Sequence, residues 1–250
     1  MRSTASDQLA RVRARIDDAC RRAARDPGEV ALLAVTKDAS LEQALALFRA
    51  GQRDFGESRP QSLQRRRADF AAALGADAAA ARWHLIGHLQ RNKLGLALDG
   101  LHTLHSLDRA SLVEPLCAAA AERVGTPLDV FVQVKLRNEA NKGGFAPGDV
   151  PALAERLAHA PGLRLVGLMA LAPWLDDGTE REREAAAVFT ELAALAKNVD
   201  ATHFAAGRVR LSMGMSGDLE PAIAAGSHWL RIGSALFEND ADPGGAGARP

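Results

Sequence analysis

The chain has 250 residues, and its 31 basic side chains balance its 31 acidic ones. A chain of this length can bury a large core and fits one α/β domain. The balanced charge leaves no basic excess to bind a phosphate backbone, so we expect no nucleic-acid partner. No apolar run is long enough to cross a bilayer, so we expect no membrane partner either. Cys20 and Cys117 form no metal spacing or disulfide framework, which favours a reducing cytoplasm.

The segment 1–29 is predicted to form an amphipathic helix followed by a turn, because its apolar residues recur at helical spacing. The residues that carry this pattern are Leu9, Val12, Ile16 and Ala19, after possible N-caps at Ser3 and Ser6. Acidic residues and the lack of an apolar signal core argue against a targeting peptide.

Eight short apolar runs then alternate with alanine-rich amphipathic stretches. The predicted strands are 30–36, 53–56, 83–87, 101–106, 128–135, 163–170, 209–214 and 227–233. The predicted helices include 40–50, 59–74, 108–123, 149–160, 179–197 and 217–225. Alternating βα units imply parallel strands, and eight of them predict a single (β/α)8 TIM barrel with an extra N-terminal helix.

A doubly wound open sheet is the alternative fold, but no GxGxxG or GxxxxGK[ST] motif supports it. We expect one domain over 1–238 and a disordered tail over 239–250, where glycine and proline are frequent.

Lys37 follows the first predicted strand, in a chain where lysine is rare. Five of the 31 basic residues are lysines, so the other 26 are arginines. Unlike arginine, a lysine can lose its proton near neutral pH and attack a carbonyl carbon. Because barrel sites are built at the carboxyl ends of strands, Lys37 is a candidate nucleophile. The alternative is an ordinary solvated or ion-paired lysine.

Two serines after the last two predicted strands suggest a phosphate site. Ser216 lies in GMSGDLEPAI, and Ser234 follows Gly233 in RIGSALF. We expect each serine at a helix start, where free N–H groups and a hydroxyl can bind phosphate, although each could be only a helix N-cap. An amine and a phosphate site in one barrel mouth fit two chemistries. These are a Schiff-base aldolase acting on sugar phosphates, and a lysine that holds pyridoxal 5′-phosphate (PLP).

Motifs spread over residues 7–238 favour the second chemistry, because the chain resembles the PLP homeostasis protein family, also called proline synthase co-transcribed homologues. The motifs are AVTK (34–37), FGES (55–58), WHLIGHLQRNK (83–93), HSLD (105–108), VQV…NEANKGG (132–144), GLMAL (167–171), LSMGMSGDLEPAI (211–223) and GSHWLRIGSALF (226–237).

The resemblance implies roles for the matching residues. Lys37 corresponds to the imine-forming lysine, and we expect the apolar strand to desolvate its amine and lower its pKa. Ser216, Gly233 and Ser234 correspond to the phosphate binders, although threonine is usual where Ser234 stands. Arg231 corresponds to the arginine that faces the pyridine nitrogen, where it disfavours protonation and weakens the ring as an electron sink.

Three departures from the family pattern affect the fine geometry of the site. Ser58 replaces the asparagine of FGEN, so a ring-side hydrogen bond is expected to be shorter, water-mediated or absent. Asp38 and Ala39 stand where relatives tend to have a lysine and a proline. Lys135 replaces an asparagine and could be a second amine near the mouth.

The barrel also resembles the cofactor domain of fold-type III alanine racemases and decarboxylases, so a racemase is the alternative function. Those racemases use a tyrosine as the opposing base and a second β-domain. This chain contains no tyrosine, and the predicted barrel accounts for nearly all of it. His84, His88 and His105 could replace the base but are expected to be structural, and no cysteine or carboxylate cluster joins them into a metal site.

The resemblance therefore implies a PLP-binding protein without strong catalytic activity, which takes part in cytoplasmic PLP homeostasis. It implies PLP as the cofactor and PLP-dependent apoenzymes as possible partners. We expect a monomer, because the racemase-type second domain is absent. The helix TEREREAAAVF (179–189) offers a further hypothesis, the docking of a partner protein, with an ordinary solvated face as its alternative.

Overall fold

The computed structural model describes residues 4–139 and 143–237, and its centre is a closed barrel of eight parallel strands. The strands are β1 (Ala31–Val35), β2 (Asp54–Glu57), β3 (Arg82–Leu85), β4 (Thr103–Leu107), β5 (Leu128–Gln133), β6 (Leu163–Met169), β7 (Arg210–Ser212) and β8 (Trp229–Ile232). They follow one another around the barrel in chain order. β8 closes it on β1, with Ala31 opposite Trp229 and Ala34 opposite Ile232. The predicted TIM barrel is confirmed.

Nine α-helices lie in the described part of the chain and cover the barrel. They are α1 (Ala5–Arg22), α2 (Leu41–Arg49), α3 (Pro60–Leu74), α4 (Leu94–Leu98), α5 (Ala110–Ala121), α6 (Val150–Ala158), α7 (Gly178–Asn198), α8 (Leu219–Ala224) and α9 (Ser234–Phe237). Each helix predicted from the sequence has a counterpart. The five-residue helix α4 had no predicted counterpart, because so short a segment carries little periodic signal.

The extra N-terminal helix α1 is also confirmed, but its cap differs from the prediction. The N-cap is Thr4, whose hydroxyl accepts a hydrogen bond from the Asp7 N–H at 3.2 Å. The Asp7 carboxylate accepts the Thr4 N–H in return at 2.9 Å, which completes a capping box. Ser6 therefore lies inside the helix, and Ser3 lies outside the described residues. α1 packs against α2, α8 and α9, so it spans the closure between β8 and β1.

An aromatic cluster holds α2 and α3 against β2 and β3. Phe70 meets Trp83 at 5.0 Å and Phe55 at 5.3 Å between ring centroids, both in edge-on geometry. Phe48 of α2 completes the group, 5.9 Å from Phe70. Such pairs contribute beyond their buried area, so the first βα units are firmly packed.

None of the helices in residues 4–139 and 143–237 combines the length and the apolar character needed to cross a bilayer. The predicted tail over 239–250 lies outside the described residues, and the domain limit at 238 stays a prediction.

Candidate functional site

Lys37 lies in the turn that follows β1, at the carboxyl end of the barrel. Thr36 before it is fully buried, whereas the Lys37 side chain keeps 40% of its surface exposed. Its Nζ lies 3.9 Å from a carboxylate oxygen of Asp38. The expected desolvation of the amine is therefore wrong for this structure, because Lys37 stands one residue beyond the buried end of the strand. The amine is accessible from the barrel mouth.

A buried polar cluster fixes the turn that carries Lys37. The Thr36 hydroxyl donates to Glu57 Oε1 at 2.7 Å, which ties the end of β1 to the end of β2. Arg66 of α3 donates to the carbonyl oxygens of Thr36 and Ala39, at 3.1 and 2.7 Å. Its Nε lies 3.6 Å from Glu57 Oε1. Burial raises the pKa of Glu57 despite these donors, so the carboxyl group is held where ionisation is costly.

The loops after β7 and β8 meet at the two predicted phosphate serines. The N–H of Ala235, next to Ser234, points to the Ser216 hydroxyl oxygen at 3.4 Å. Ser234 is the first residue of α9, as expected for a helix start. The expectation for Ser216 is wrong, because it lies in the turn before α8, which begins at Leu219. Ser216 is therefore not the N-cap of α8, and its hydroxyl oxygen faces the first turn of α9 instead.

Gly233 fits a ligand cradle on steric grounds. A Cβ built on Gly233 would lie 3.5 Å from Val35, an ordinary contact, and the residue has no positive φ. Packing within the protein therefore does not require glycine here. Glycine at this position instead leaves the backbone beside Ser234 free of a side chain.

Arg15 of α1 braces the Ser216 turn from outside the barrel. Its guanidinium donates to the Ser216 carbonyl at 2.8 Å and to both carboxylate oxygens of Glu220 at 2.6 and 2.7 Å. Sequence reasoning missed this residue, since Arg15 and Glu220 are 205 positions apart.

Arg231 lies on β8 and is 4% exposed. Its guanidinium donates to the Ser212 hydroxyl at 2.8 Å and to the Ala170 carbonyl at 3.0 Å, at the carboxyl ends of β7 and β6. Burial lowers the pKa of Arg231 to about 10, so the group stays cationic at neutral pH.

Ser58 and Lys135 complete the predicted mouth. Ser58 is half-buried in the bend after β2, and Lys135 is half-buried two residues after the end of β5. Gly87 after β3 lies so close to Ser58 that an added Cβ would be 2.1 Å from the Ser58 carbonyl oxygen. The segments after β2 and β3 are therefore in direct contact.

The three histidines considered as a possible second base differ in burial. His84 and His105 are fully buried and hydrogen-bonded to each other, whereas His88 is exposed and bound to the Asp108 carboxylate at 2.6 Å. Within the described residues, no three histidine, cysteine or acidic side chains lie close enough together to hold a metal ion.

Together, the six predicted site residues lie at the carboxyl ends of β1, β2, β7 and β8. The set supplies an accessible amine, two hydroxyls beside a glycine and a buried cation. This donor chemistry fits a phosphorylated aldehyde with an aromatic ring nitrogen.

Comparisons with known proteins identify the family and the fold of the chain. A family model described as alanine racemase, N-terminal domain, matches residues 8–240. A pyridoxal phosphate homeostasis protein of Pseudomonas aeruginosa is 39% identical over 235 residues, covering 94% of this chain and 95% of the relative. The structure of PipY from Synechococcus elongatus with PLP bound matches with a TM-score of 0.76 and 31% identity, covering 94% of this chain and 100% of that chain. Alanine racemase from E. faecalis shares the fold alone, at 16% identity and a TM-score of 0.62, covering 90% of this chain and 57% of that chain.

Proposed function

The chain belongs to the pyridoxal phosphate homeostasis protein family, and on that premise we propose that it binds PLP at the carboxyl end of its barrel and takes part in PLP homeostasis. The observation that carries the proposal is the accessible Lys37 amine in the same mouth as the Ser216 and Ser234 hydroxyls. When bound, PLP supplies an aldehyde, to which an amine adds with loss of one water to form a C=N bond.

The other residues have binding roles in this proposal. Ser216, Gly233 and Ser234 hold the phosphate, whose charge suits hydroxyl donors beside an open glycine backbone. Arg231 faces the ring nitrogen as a cation and keeps that nitrogen unprotonated. Ser58 contributes a shorter side chain than the family asparagine beside the ring.

The decisive experiment is borohydride reduction of the protein with PLP, followed by absorption spectroscopy and peptide mass mapping. We expect a visible band that is lost on reduction and a label on Lys37. Lys37→Arg keeps the charge but should lose both signals, whereas Lys197→Arg, in the last turn of α7, should keep them. A label found only on Lys135 would move the site, and no band would refute PLP binding at this mouth.

We further propose that the protein holds PLP reversibly and supplies PLP-requiring apoenzymes, without strong turnover of its own. Two-base racemisation requires a proton acceptor on each face of the substrate, and the chain contains no tyrosine. His84 and His105 are buried and bound to each other, which does not favour them as the second base. Turnover of an amino acid at about 1 s⁻¹ or faster, lost in Lys37→Ala, would favour the racemase alternative.

We also propose a monomer that works in the cytoplasm. Both cysteines are buried free thiols, which agrees with a reducing compartment. Size-exclusion chromatography with light scattering would measure the molar mass in solution and so test the proposed monomer. A stable dimer would refute it. Transfer of PLP to an apoenzyme faster than from free PLP at the same concentration would support the apoenzyme partners.

A further inference from the structure

A continuous chain of side-chain hydrogen bonds crosses the interior of the barrel from its amino end to Arg231. We call it the polar relay. Its members, in order, are Arg82, Asp54, His84, His105, Ser212 and Arg231. None of the proposed roles for the PLP site uses the four central members.

The lower half of the relay begins at an ion pair. Arg82 donates to both carboxylate oxygens of Asp54, at 2.6 and 2.5 Å. Asp54 Oδ1 lies 3.1 Å from His84 Nε2, and His84 Nδ1 lies 2.9 Å from His105 Nε2. Asp54 and Arg82 are the first residues of β2 and β3, so this end lies at the amino face of the barrel.

The upper half of the relay crosses the barrel from β4 to β7. His105 Nδ1 lies 2.8 Å from the Ser212 hydroxyl oxygen, and Arg231 donates to the same oxygen at 2.8 Å. His105 is on β4 and Ser212 on β7, and two strands separate them on the shorter way around the barrel. The bond between them therefore passes through the interior. The relay ends at the carboxyl face, where Arg231 also binds the Ala170 carbonyl.

The donor and acceptor capacities of these side chains fix the direction of each hydrogen bond in the relay. An ionised Asp54 only accepts, so His84 Nε2 must carry the proton and a neutral His84 accepts at Nδ1. His105 then donates from Nε2 and accepts at Nδ1. The donor that fits His105 Nδ1 is the Ser212 hydroxyl, which in turn accepts from Arg231, a side chain that only donates. The bonds between Arg231 and Asp54 thus all point toward Asp54, which Arg82 also donates to from the other end, and both histidines have the same tautomer.

The surroundings of the relay favour these protonation states. Phe131 stacks on His105 with ring centroids 4.6 Å apart, and Trp229 lies 5.0 Å from His84. Burial lowers the pKa of both histidines, which keeps them neutral at neutral pH. Burial opposes ionisation of Asp54, but the hydrogen bonds from His84 and Arg82 outweigh it, so the pKa of that carboxyl is lowered.

We propose that Ser212, His105 and His84 are positioning residues that fix the Arg231 guanidinium toward the ring nitrogen of PLP, and that Asp54 at the opposite face anchors them. The inference rests on the proposed function only because it takes the ring nitrogen of PLP as the partner of Arg231. A substitution at the amino face therefore alters the environment of a nitrogen at the carboxyl face.

The first test uses the protein without PLP, labelled with ¹⁵N-histidine. The NMR signals of His84 and His105 should each show a protonated Nε2 and an unprotonated Nδ1. Ser212→Ala should shift the His105 signals, and Ser212→Thr, which keeps a hydroxyl, should restore them. A charged ring or the opposite tautomer at either histidine would overturn the relay.

The second test uses PLP labelled with ¹⁵N in its ring. Ser212→Ala should shift the ring-nitrogen signal and raise the Kd for PLP by about 3- to 10-fold, the loss expected for one hydrogen bond. Asp54→Asn should shift the signal in the same direction. Asp129→Asn is the matched control for the loss of a nearby charge, since Asp129 is buried near the amino end of β5 and acts on His84 through space, whereas its ion pair is with Arg164 of β6, outside the relay.

The outcomes separate the two proposals. An unchanged ring-nitrogen signal in Ser212→Ala, or equal shifts in Asp54→Asn and Asp129→Asn, would overturn the positioning role while PLP still binds. Failure of PLP to bind the unmodified protein would instead refute the proposed function, and the histidine signals would still decide whether the relay exists.

Discussion

The contact between Gly87 and Ser58 makes Gly87→Ala a sharp test of how the site mouth is built. The new Cβ would lie 2.1 Å from the Ser58 carbonyl oxygen and 2.9 Å from its carbonyl carbon. These are backbone atoms, so relief requires the segments after β2 and β3 to separate by about 1 Å, a strain of about 1–3 kcal/mol. For a chain of this size, Tm should fall by about 2–4 °C per kcal/mol. The Kd for PLP should also rise, because Ser58 belongs to the proposed site.

The assays are urea unfolding and thermal unfolding, both monitored by far-ultraviolet circular dichroism, with PLP titration of the same samples. Gly148→Ala is the matched control, because nothing lies within 4 Å of its added Cβ and its φ is not positive. The control should match the unmodified protein within about 0.5 kcal/mol. If Gly87→Ala unfolds at the same urea concentration as that control, the close approach of the two segments is wrong.

Three further predictions address the core, pH dependence and the brace on the phosphate loop. Phe70→Ala should lower the free energy of unfolding in urea by about 3–5 kcal/mol, since Phe70 is 1% exposed; a loss under about 1 kcal/mol would contradict its place in the core. Burial raises the pKa of Glu57, so the free energy of unfolding should fall as pH rises from about 4.3 through the raised native value. Glu57→Gln should remove that decline in urea titrations across this pH range, and an unchanged pH profile would refute the assignment. Arg15→Lys should cost at most about 1 kcal/mol, because the pair with Glu220 is partly exposed, but should weaken PLP binding in a fluorescence titration by loosening the Ser216 turn. Equal PLP affinity would show that Arg15 does not support the turn.

The positions of the strands could be predicted because each is a short apolar run bounded by turn residues. Residues 30–36 and 163–170, for example, contain β1 and β6 with at most one extra residue at each end. The placement of Lys37 followed from this alone, since a residue just after a strand must lie at the carboxyl face. Its exposure did not follow, because burial there depends on where the neighbouring strands end.

The supporting contacts could not be predicted, because they join residues far apart in the chain. Arg66 reaches the Ala39 carbonyl across 27 positions, and Arg15 reaches Glu220 across 205. No local spacing encodes such pairs, and backbone carbonyl acceptors carry no sequence signature. The Thr4 cap did have a local signal, an acidic residue three positions on, which the expected caps at Ser3 and Ser6 overlooked.

The bond between His105 and Ser212 also constrains the order in which the protein can mature. The two residues are 107 positions apart, so at about 5–20 residues per second a ribosome makes Ser212 roughly 5–20 s after His105. During that interval the first half of the nascent chain contains His84 and His105 but not Ser212. Both histidines are buried in the folded protein. Since an unpaired polar group is costly to bury, the first four strands gain little from closing early. The hydrogen bonds of the interior can be completed only after β7 has been made, which ties final packing to the last part of the chain to be made.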